Sequence, residues 1–507
     1  MIRWWKALFS DRPARAEAGA RAVARLQQAE AALRSGDGAL AERLCRDALD
    51  VDADCAPALA MLGELAAARG EWGEAEGLFR RALSIDERNA HLHFALGCVL
   101  SSAGDPADAE TAYRAALAIA PGHAGARNNL GFLLQSRGES AGAQERDLAE
   151  AIDHFRAATE SAPGSPDGWI NLGYALAQQR KPQEAARAYD RALAIAPDHA
   201  HARLNRAMAN LAQGRWAEAW DDYEWRWPAT GFERPGFEQP EWDGGPLAGK
   251  TLLLYTEQGY GDAIQFVRYA PLLAARGARV LLRCAPELKT LFESVAQVAQ
   301  VVAVDEPLPA FDVHASLLGL PRLFGTRRDS IPADVPYLFA PRAQGAASGR
   351  RIGLVWASQS SFPGAALKSV PVEALAPLAD IGDVEFVGLQ VGWKAPFPSF
   401  VRDLSGGLRD FADTAALIAT LDLVLSVDTA VAHLAGALGR PVWTLLPYVA
   451  DWRWEPEGDR SAWYPGMRLF RQRRRGDWAE VIARVAGELR RRPGAATSPT
   501  SSEAAGA

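Results

Sequence analysis

Gly63, Gly97 and Gly131 stand 34 residues apart, and each closes a similar tripeptide: Met61-Leu62-Gly63, Ala95-Leu96-Gly97 and Asn129-Leu130-Gly131. Twelve residues beyond the first two come Ala75 and Ala109, and seven further on come Ala82 and Ala116, with Phe79 and Tyr113 between them. A fixed period of this length restricts a fold severely. Each repeat is one supersecondary unit that buries its apolar face only by stacking on its neighbours. The small residues let paired helices approach closely, and the bulky residue is expected to fill the gap between repeats. Gly70, Gly104 and Gly138 recur where the turn between the two helices of a unit is expected. Gly173 follows Gly131 by 42 residues, with eight extra residues in the turn around 139–147. Ala151, Phe155, Ala158 and Pro163 then restore the phase. Ala185, Tyr189, Ala192 and Pro197 mark the next unit, Ala219 and Tyr223 the last, and Gly36, Ala41 and Ala48 an earlier one. Six helical units over 21–227 are expected, preceded by an N-terminal segment, 1–20. Asp50, Asp52 and Asp54 imitate the start of a calcium loop. Cys55 stands where that loop needs glycine and Met61 where it needs glutamate, so the segment reads as a turn between repeats.

This register resembles the tetratricopeptide family, which implies an α-solenoid with a curved groove for protein segments. Two residues before the frame glycine, three successive units carry asparagine: Asn129, Asn171 and Asn205. In the family that position lies on the first helix of each unit, lining the concave face. A primary amide both donates and accepts, so three of them form a ladder able to clamp the backbone of an extended acceptor. The alternative is that each bonds its own neighbouring helix.

The pattern breaks at 228–249. Pro228, Pro235, Pro240 and Pro246 argue against regular structure, while Phe232, Phe237 and Trp242 argue against a floppy tether. An ordered strap is expected, covering the last repeat and docking it on the next domain. From 250 the periodicity is that of strand, turn and helix. Residues 251–255 read as a buried strand, Gly259-Tyr260-Gly261-Asp262 as a turn, 263–275 as a helix and 279–282 as a strand. A second set opens at 351–356 and continues with strands at 384–389, 421–425 and 441–446 and a helix at 429–438. Two α/β lobes are expected, 250–345 and 346–492, with a small, polar, disordered tail at 493–507.

Composition narrows the functional classes. A formal net charge of −7 gives no bulk reason to expect nucleic acid as a partner. Four cysteines without a CxxC pair point to neither a zinc site nor a disulfide framework, and a reducing cytoplasm fits them. No apolar run is long enough to span a bilayer, and the opening Trp4, Trp5, Leu8 and Phe9 are too few for a signal-peptide core. They are expected to pack on the first repeat. The arginines Arg471, Arg473, Arg474 and Arg475 read as a solvated basic face.

Val427-Asp428-Thr429-Ala430-Val431-Ala432-His433-Leu434 resembles the nucleotide-sugar motif of the bacterial heptosyltransferase group, Asp-Thr-Gly, two residues, His-Leu, with Ala430 replacing the glycine. The resemblance covers 250–490 and implies the two-lobed GT-B fold and a sugar transferase. The nucleotide-sugar is its co-substrate; no further cofactor and no metal are implied. Gly261-Asp262, after a strand and before a helix, falls where that family places its catalytic aspartate, and Lys368 where it places a basic residue for the donor phosphates. Joined to the repeats, the plan is similar to that of the O-GlcNAc transferases and of bacterial flagellin glycosyltransferases. It implies a protein Ser or Thr acceptor, flagellin-like targets included, transferred with inversion. A cell-envelope glycan transferase and a decayed, non-catalytic scaffold are the competing readings.

The residues suit this chemistry in their own right. Asp428 lies between strand and helix, so the first helical amides can meet a phosphate, and Thr429 and His433 share one helical face. Asp428 orients the site, binds donor or caps the helix; His433 binds donor or packs in the core. Asp262 is the candidate general base, with a helix cap as the alternative and Glu257 as the reserve base. Gly261 suits close approach of backbone to ligand, and Gln390, at the end of its strand, is placed to contact the nucleotide. No acidic pair of the kind metal-dependent sugar transferases use follows a strand.

Overall fold

The computed structural model describes residues 13–139, 145–340, 350–358, 365–382 and 384–491. The expected tail, the first twelve residues and most of the insertion after 139 lie outside them. The chain divides into two compact units.

The first unit is helical. In it α1 (Pro13–Arg34) packs on α2 (Gly38–Val51), α3 (Ala56–Ala68) on α4 (Trp72–Ile85), α5 (Ala90–Ala103) on α6 (Pro106–Ile119), and α7 (Ala124–Glu139) on α8 (Glu145–Ser161). The greater part of α9 (Pro166–Gln178) completes it. The repeat signature has a direct steric cause. A Cβ on Gly63 would lie 2.9 Å from the Phe79 ring, on Gly97 2.6 Å from Tyr113, and on Gly131 2.8 Å from Phe155. The bulky residue therefore lies across the frame glycine of its own unit rather than only filling the space between units. Gly36, Gly70 and Gly104 take positive φ in the turns between paired helices, where a side chain would be strained. Gly138 departs from that expectation. It is helical, within α7, and a Cβ there would lie 3.1 Å from the backbone nitrogen of Leu148, so it permits close helix approach instead of a turn.

The second unit holds 176–193 and everything described from 198 onward. The last repeat helices are thus part of the α/β body: most of α10 (Pro182–Ile195), α11 (Ala200–Ala212) and α12 (Trp216–Tyr223). Their attachment is aromatic. Trp216 stacks on Trp463 at 5.5 Å between centroids and meets Trp452 edge-on at 5.8 Å, while Trp220 Nε1 donates to Thr326 O at 2.8 Å. Arg180 takes the position that glycine holds in other turns, with φ of 59°. That conformation costs about 1–2 kcal/mol for a residue with a Cβ. It is held by a bond to Pro456 O and by the Tyr448 ring, which also stacks on Arg475. The predicted solvated arginine face is accordingly corrected. Arg475 donates to Gln178 O and Arg471 to Trp454 O, and burial lowers the Arg471 guanidinium to about 10; Arg473 and Arg474 are exposed.

A short α13 (Arg226–Thr230) leads into the strap. Trp242 is buried and its amide donates to His314 O at 2.8 Å, and Phe237 packs on Tyr255, Phe311 and His314. Beyond it lie two parallel sheets. The first has the order β3-β2-β1-β4, from β1 (Thr251–Tyr255), β2 (Arg279–Cys284), β3 (Val298–Ala303) and β4 (Val313–Ser316). It is flanked by α14 (Tyr260–Phe266), α15 (Ala270–Ala275), α16 (Pro286–Phe292) and α17 (Leu320–Leu323). The second has the order β10-β9-β8-β5-β6-β7, from β5 (Arg350–Val355), β6 (Val384–Gly388), β7 (Val401–Asp403), β8 (Leu423–Val427), β9 (Val442–Leu446) and β10 (Met467–Arg471). Its helices are α18 (Ala376–Ala379), α19 (Phe411–Ile418), α20 (Ala430–Ala437) and α21 (Trp478–Arg490). Every residue of β8 and all but the first of β1 are buried, as parallel strands covered on both faces require. These are the two Rossmann-like lobes of a GT-B arrangement.

Candidate active site

The loops after β1 and β8, at the carboxyl ends of central strands, line a cleft of about 760 Å³. From one side come Gly261 and Asp262 in the first turn of α14; from the other come Asp428, Thr429 and His433 at the start of α20. The two helix starts touch. A Cβ on Gly261 would lie 3.0 Å from the His433 ring and 3.6 Å from Ala430 Cα. Gly261 is therefore helical rather than part of a turn, α14 beginning at Tyr260, and its lack of a side chain is what lets the lobes meet here.

Neither aspartate caps its helix. Gly259 and Thr429 occupy the cap positions, and neither makes a side-chain cap bond. The amides of Ala430 and Val431 have no helical acceptor before them and line the cleft, a site suited to an anion. Asp428 is 8% exposed and accepts from Lys368 Nζ at 2.8 Å. Burial weakens the Lys368 ammonium, but Asp428 and Asp451 together more than offset it, so the lysine stays charged.

His433 is buried, and burial lowers its imidazole to about 4, so it is neutral. Nδ1 contacts Tyr464 Oη at 3.0 Å. Tyr337 Oη donates to Ile264 O and accepts from Arg268, and it lies 3.4 Å from Tyr464 Oη. Nε2 lies 3.6 Å from where a Gly261 Cβ would stand.

Sequence reading missed two members of the site. Asp451 and Arg453 follow β9 and line the same cleft. Arg453 Nη2 donates to Asp262 Oδ1 at 2.5 Å, and Nη1 to Asp451 Oδ1 at 2.9 Å. Asp262 is 21% exposed; burial raises its carboxyl and Arg453 opposes the rise. The signal was legible: Asp451-Trp452-Arg453-Trp454 places two charges among tryptophans, where a charge must be paired.

Two other residues have structural engagements. Glu257 has a side chain only 3% exposed and does not line the cleft. It takes a two-pronged bond from Arg226, at 2.9 and 2.8 Å, and another from Ser316 Oγ. As a reserve base it is corrected: its oxygens are committed to a buried cation. Gln390 lines the cleft, but its amide is a backbone clip. Oε1 accepts from the nitrogens of Trp356 and Ala357 at 3.2 and 3.0 Å, and Nε2 donates to Ala357 O at 3.0 Å. In the repeats, Asn129 Nδ2 donates to Tyr113 Oη and Cys98 Sγ, both at 3.3 Å, and Asn171 Nδ2 to Asn128 Oδ1 at 2.9 Å. Asn205 lies half-buried on α11. Among the described residues no helix is long and apolar enough to cross a membrane.

Residues 26–90, 94–166, 136–200 and 170–225 match a tetratricopeptide repeat family, and 401–464 match glycosyltransferase family 9 (heptosyltransferase). Protein FlbA of Caulobacter vibrioides is 28% identical over 419 residues, covering 68% of this chain and 70% of that protein. A peroxisomal targeting signal receptor of Kluyveromyces lactis is 37% identical over 73 residues, covering 14% of this chain and 13% of that protein. Among solved structures, YrrB, a TPR protein with an unusual peptide-binding site, is 27% identical, covers 36% of this chain and 89% of its own, and gives a TM-score of 0.30.

Proposed function

The chain joins tetratricopeptide repeats to a glycosyltransferase family 9 (heptosyltransferase) domain, and we propose that it transfers a sugar from a nucleotide-sugar donor to a Ser or Thr hydroxyl of a protein captured by the repeats. One observation carries the reading. A carboxylate, Asp262, faces an anion-receiving helix start, α20, across a single cleft. Asp262 takes the proton of the acceptor hydroxyl as that oxygen bonds the anomeric carbon. The bond from that carbon to the phosphate oxygen breaks with inversion, and its electron pair leaves with the diphosphate. The developing charge meets Lys368, the Ala430 and Val431 amides and the imidazole of His433, groups that supply the stabilisation without requiring a metal. Asp428 orients Lys368, and Gln390 shapes the nucleotide floor. Asn129, Asn171 and Asn205 are proposed as acceptor-holding amides. The nitrogens of the first two are engaged within the repeats, so their carbonyl oxygens would take the acceptor's N–H groups. A flagellin-like acceptor fits this reading.

Incubation with labelled UDP-, GDP-, ADP-, CDP- and dTDP-sugars and a bacterial lysate, with and without EDTA, tests it. Label in protein, resistant to EDTA and lost by at least a hundredfold in Asp262→Asn, is expected. Label in lipid-linked glycan instead assigns the envelope reading, and no label from any donor leaves a scaffold.

A further inference from the structure

We propose that Arg453, braced by Asp451, is the positioning residue that holds the carboxylate of Asp262 across the cleft. The inference rests on Asp262 being the acceptor's base. Arg453 comes from the opposite lobe, on the turn Trp452–Trp454 after β9. Its fork reaches Asp262 with one nitrogen and Asp451 with the other. Asp451 is itself fixed, since its Oδ1 accepts from the backbone nitrogen of Arg453 at 3.0 Å. The guanidinium is 4.7 Å from the Trp452 ring and 5.5 Å from that of Phe266, and the residue is 8% exposed, so it has little room to swing. One oxygen of Asp262 is thereby pinned. The other, Oδ2, lies 3.6 Å from where a Gly259 Cβ would stand, so the absent side chain leaves that oxygen open.

The electrostatics give the arrangement a measurable signature. Burial drives Asp262 toward its neutral form, and Asp451 and Asp428 add to that push; Arg453 and Lys368 oppose it. Tyr223 and Glu257 also face Asp262, and His433 on α20 is neutral. Removing the Arg453 charge therefore raises the Asp262 carboxyl, whereas neutralising Asp451 removes a like charge and lowers it. A residue that merely supports the fold would not move the base in opposite directions.

The test combines Arg453→Met, Arg453→Lys and Asp451→Asn. In ligand-free protein carrying 13Cγ-labelled aspartate, the Asp262 signal is assigned with Asp262→Asn and titrated. The pH profile of kcat/KM is measured with the labelled sugar nucleotide that scores in the transfer assay. Arg453→Met is expected to move the titration and the acid limb up by about one pH unit or more, cutting kcat at pH 7 roughly tenfold with donor KM unchanged. Alkaline pH recovers part of the loss, Arg453→Lys restores part of the rate, and Asp451→Asn moves both measurements down. Should Arg453→Met fail to fold, the comparisons with Arg453→Lys and Asp451→Asn carry the test. A raised donor KM with an unmoved limb would make Arg453 a donor-phosphate ligand and overturn the proposal, as would an Asp262 titration unchanged in every variant. Normal transfer by Asp262→Asn would sink the base assignment instead, and the titration would still judge the hold of Arg453 on it.

Discussion

Glu257→Gln separates a structural carboxylate from a catalytic one. Arg226 is 2% exposed and receives its charge balance from Glu257, bonded at 2.9 and 2.8 Å, and from Glu224 at 2.7 Å. Burial pushes the Glu257 carboxyl above its ordinary range despite Arg226, so the pair is not a large net gain over two charges in water. Breaking it is another matter. The amide turns one acceptor into a donor facing the guanidinium and leaves a buried cation half-compensated, which costs about 3–5 kcal/mol. Glu224 remains, so the lower end is expected. At roughly 1.5 °C per kcal/mol for a unit of this size, the melting temperature should fall by about 4–5 °C. Tryptophan fluorescence reports the transition, because Trp216, Trp220, Trp452 and Trp463 cluster in this unit. The double change Arg226→Met with Glu257→Leu should cost less than the sum of its parts, since no unpaired charge is left. Loss of transfer in Glu257→Gln at an unchanged melting temperature would refute this and return Glu257 to the chemistry.

The packing and the buried imidazole set two further outcomes. His433 is held at about 4 in the fold, below its unfolded value of about 6.5, so protonation favours the unfolded chain. Its neutral state contributes fully above about pH 6.5 and is lost as pH falls toward 4, by up to about 3 kcal/mol; His433→Gln should flatten that window in a pH series of melting curves, and an unchanged series would show that the imidazole is not the group titrating. Gly97→Ala puts a methyl 2.6 Å from the Tyr113 ring. Overpacking of about 1–3 kcal/mol should exceed the helix-propensity gain of about 1 kcal/mol, so thermal unfolding followed by circular dichroism should show net destabilisation, and a more stable protein would refute the steric account of the frame glycine.

What the sequence made legible is what local periodicity controls. The 34-residue register appears because the contact between glycine and aromatic ring repeats within each unit, and β1 was readable as an uninterrupted apolar run. Other strands carried weaker signals. β3 has two exposed residues among its first three, β4 has four residues and β7 has three, so neither alternation nor length announces them. Gly138 and Arg180 show how one register position admits two solutions. In one unit the glycine lies inside a helix; in the next an arginine takes positive φ and is held by Tyr448 and Pro456. Neither outcome is encoded within the repeat itself.

The site divides along the same line. Asp262, Asp428 and His433 were found because each adjoins a strand-to-helix junction, a local feature. Arg453 was not, because its meaning depends on Asp262, 191 residues earlier in the chain. Two charges embedded among tryptophans nevertheless pose a question that local reading can ask: which partner justifies burying them? Here the partner belongs to the other lobe. The bond therefore does two things at once: it satisfies a charge that Trp452 and Trp454 have taken out of water, and it ties the orientation of Asp262 to the registry of the two lobes. On the proposed reading, a change in that registry would release the guanidinium and the carboxylate together, so the contact proposed to aim the base would also tie it to the registry of the lobes.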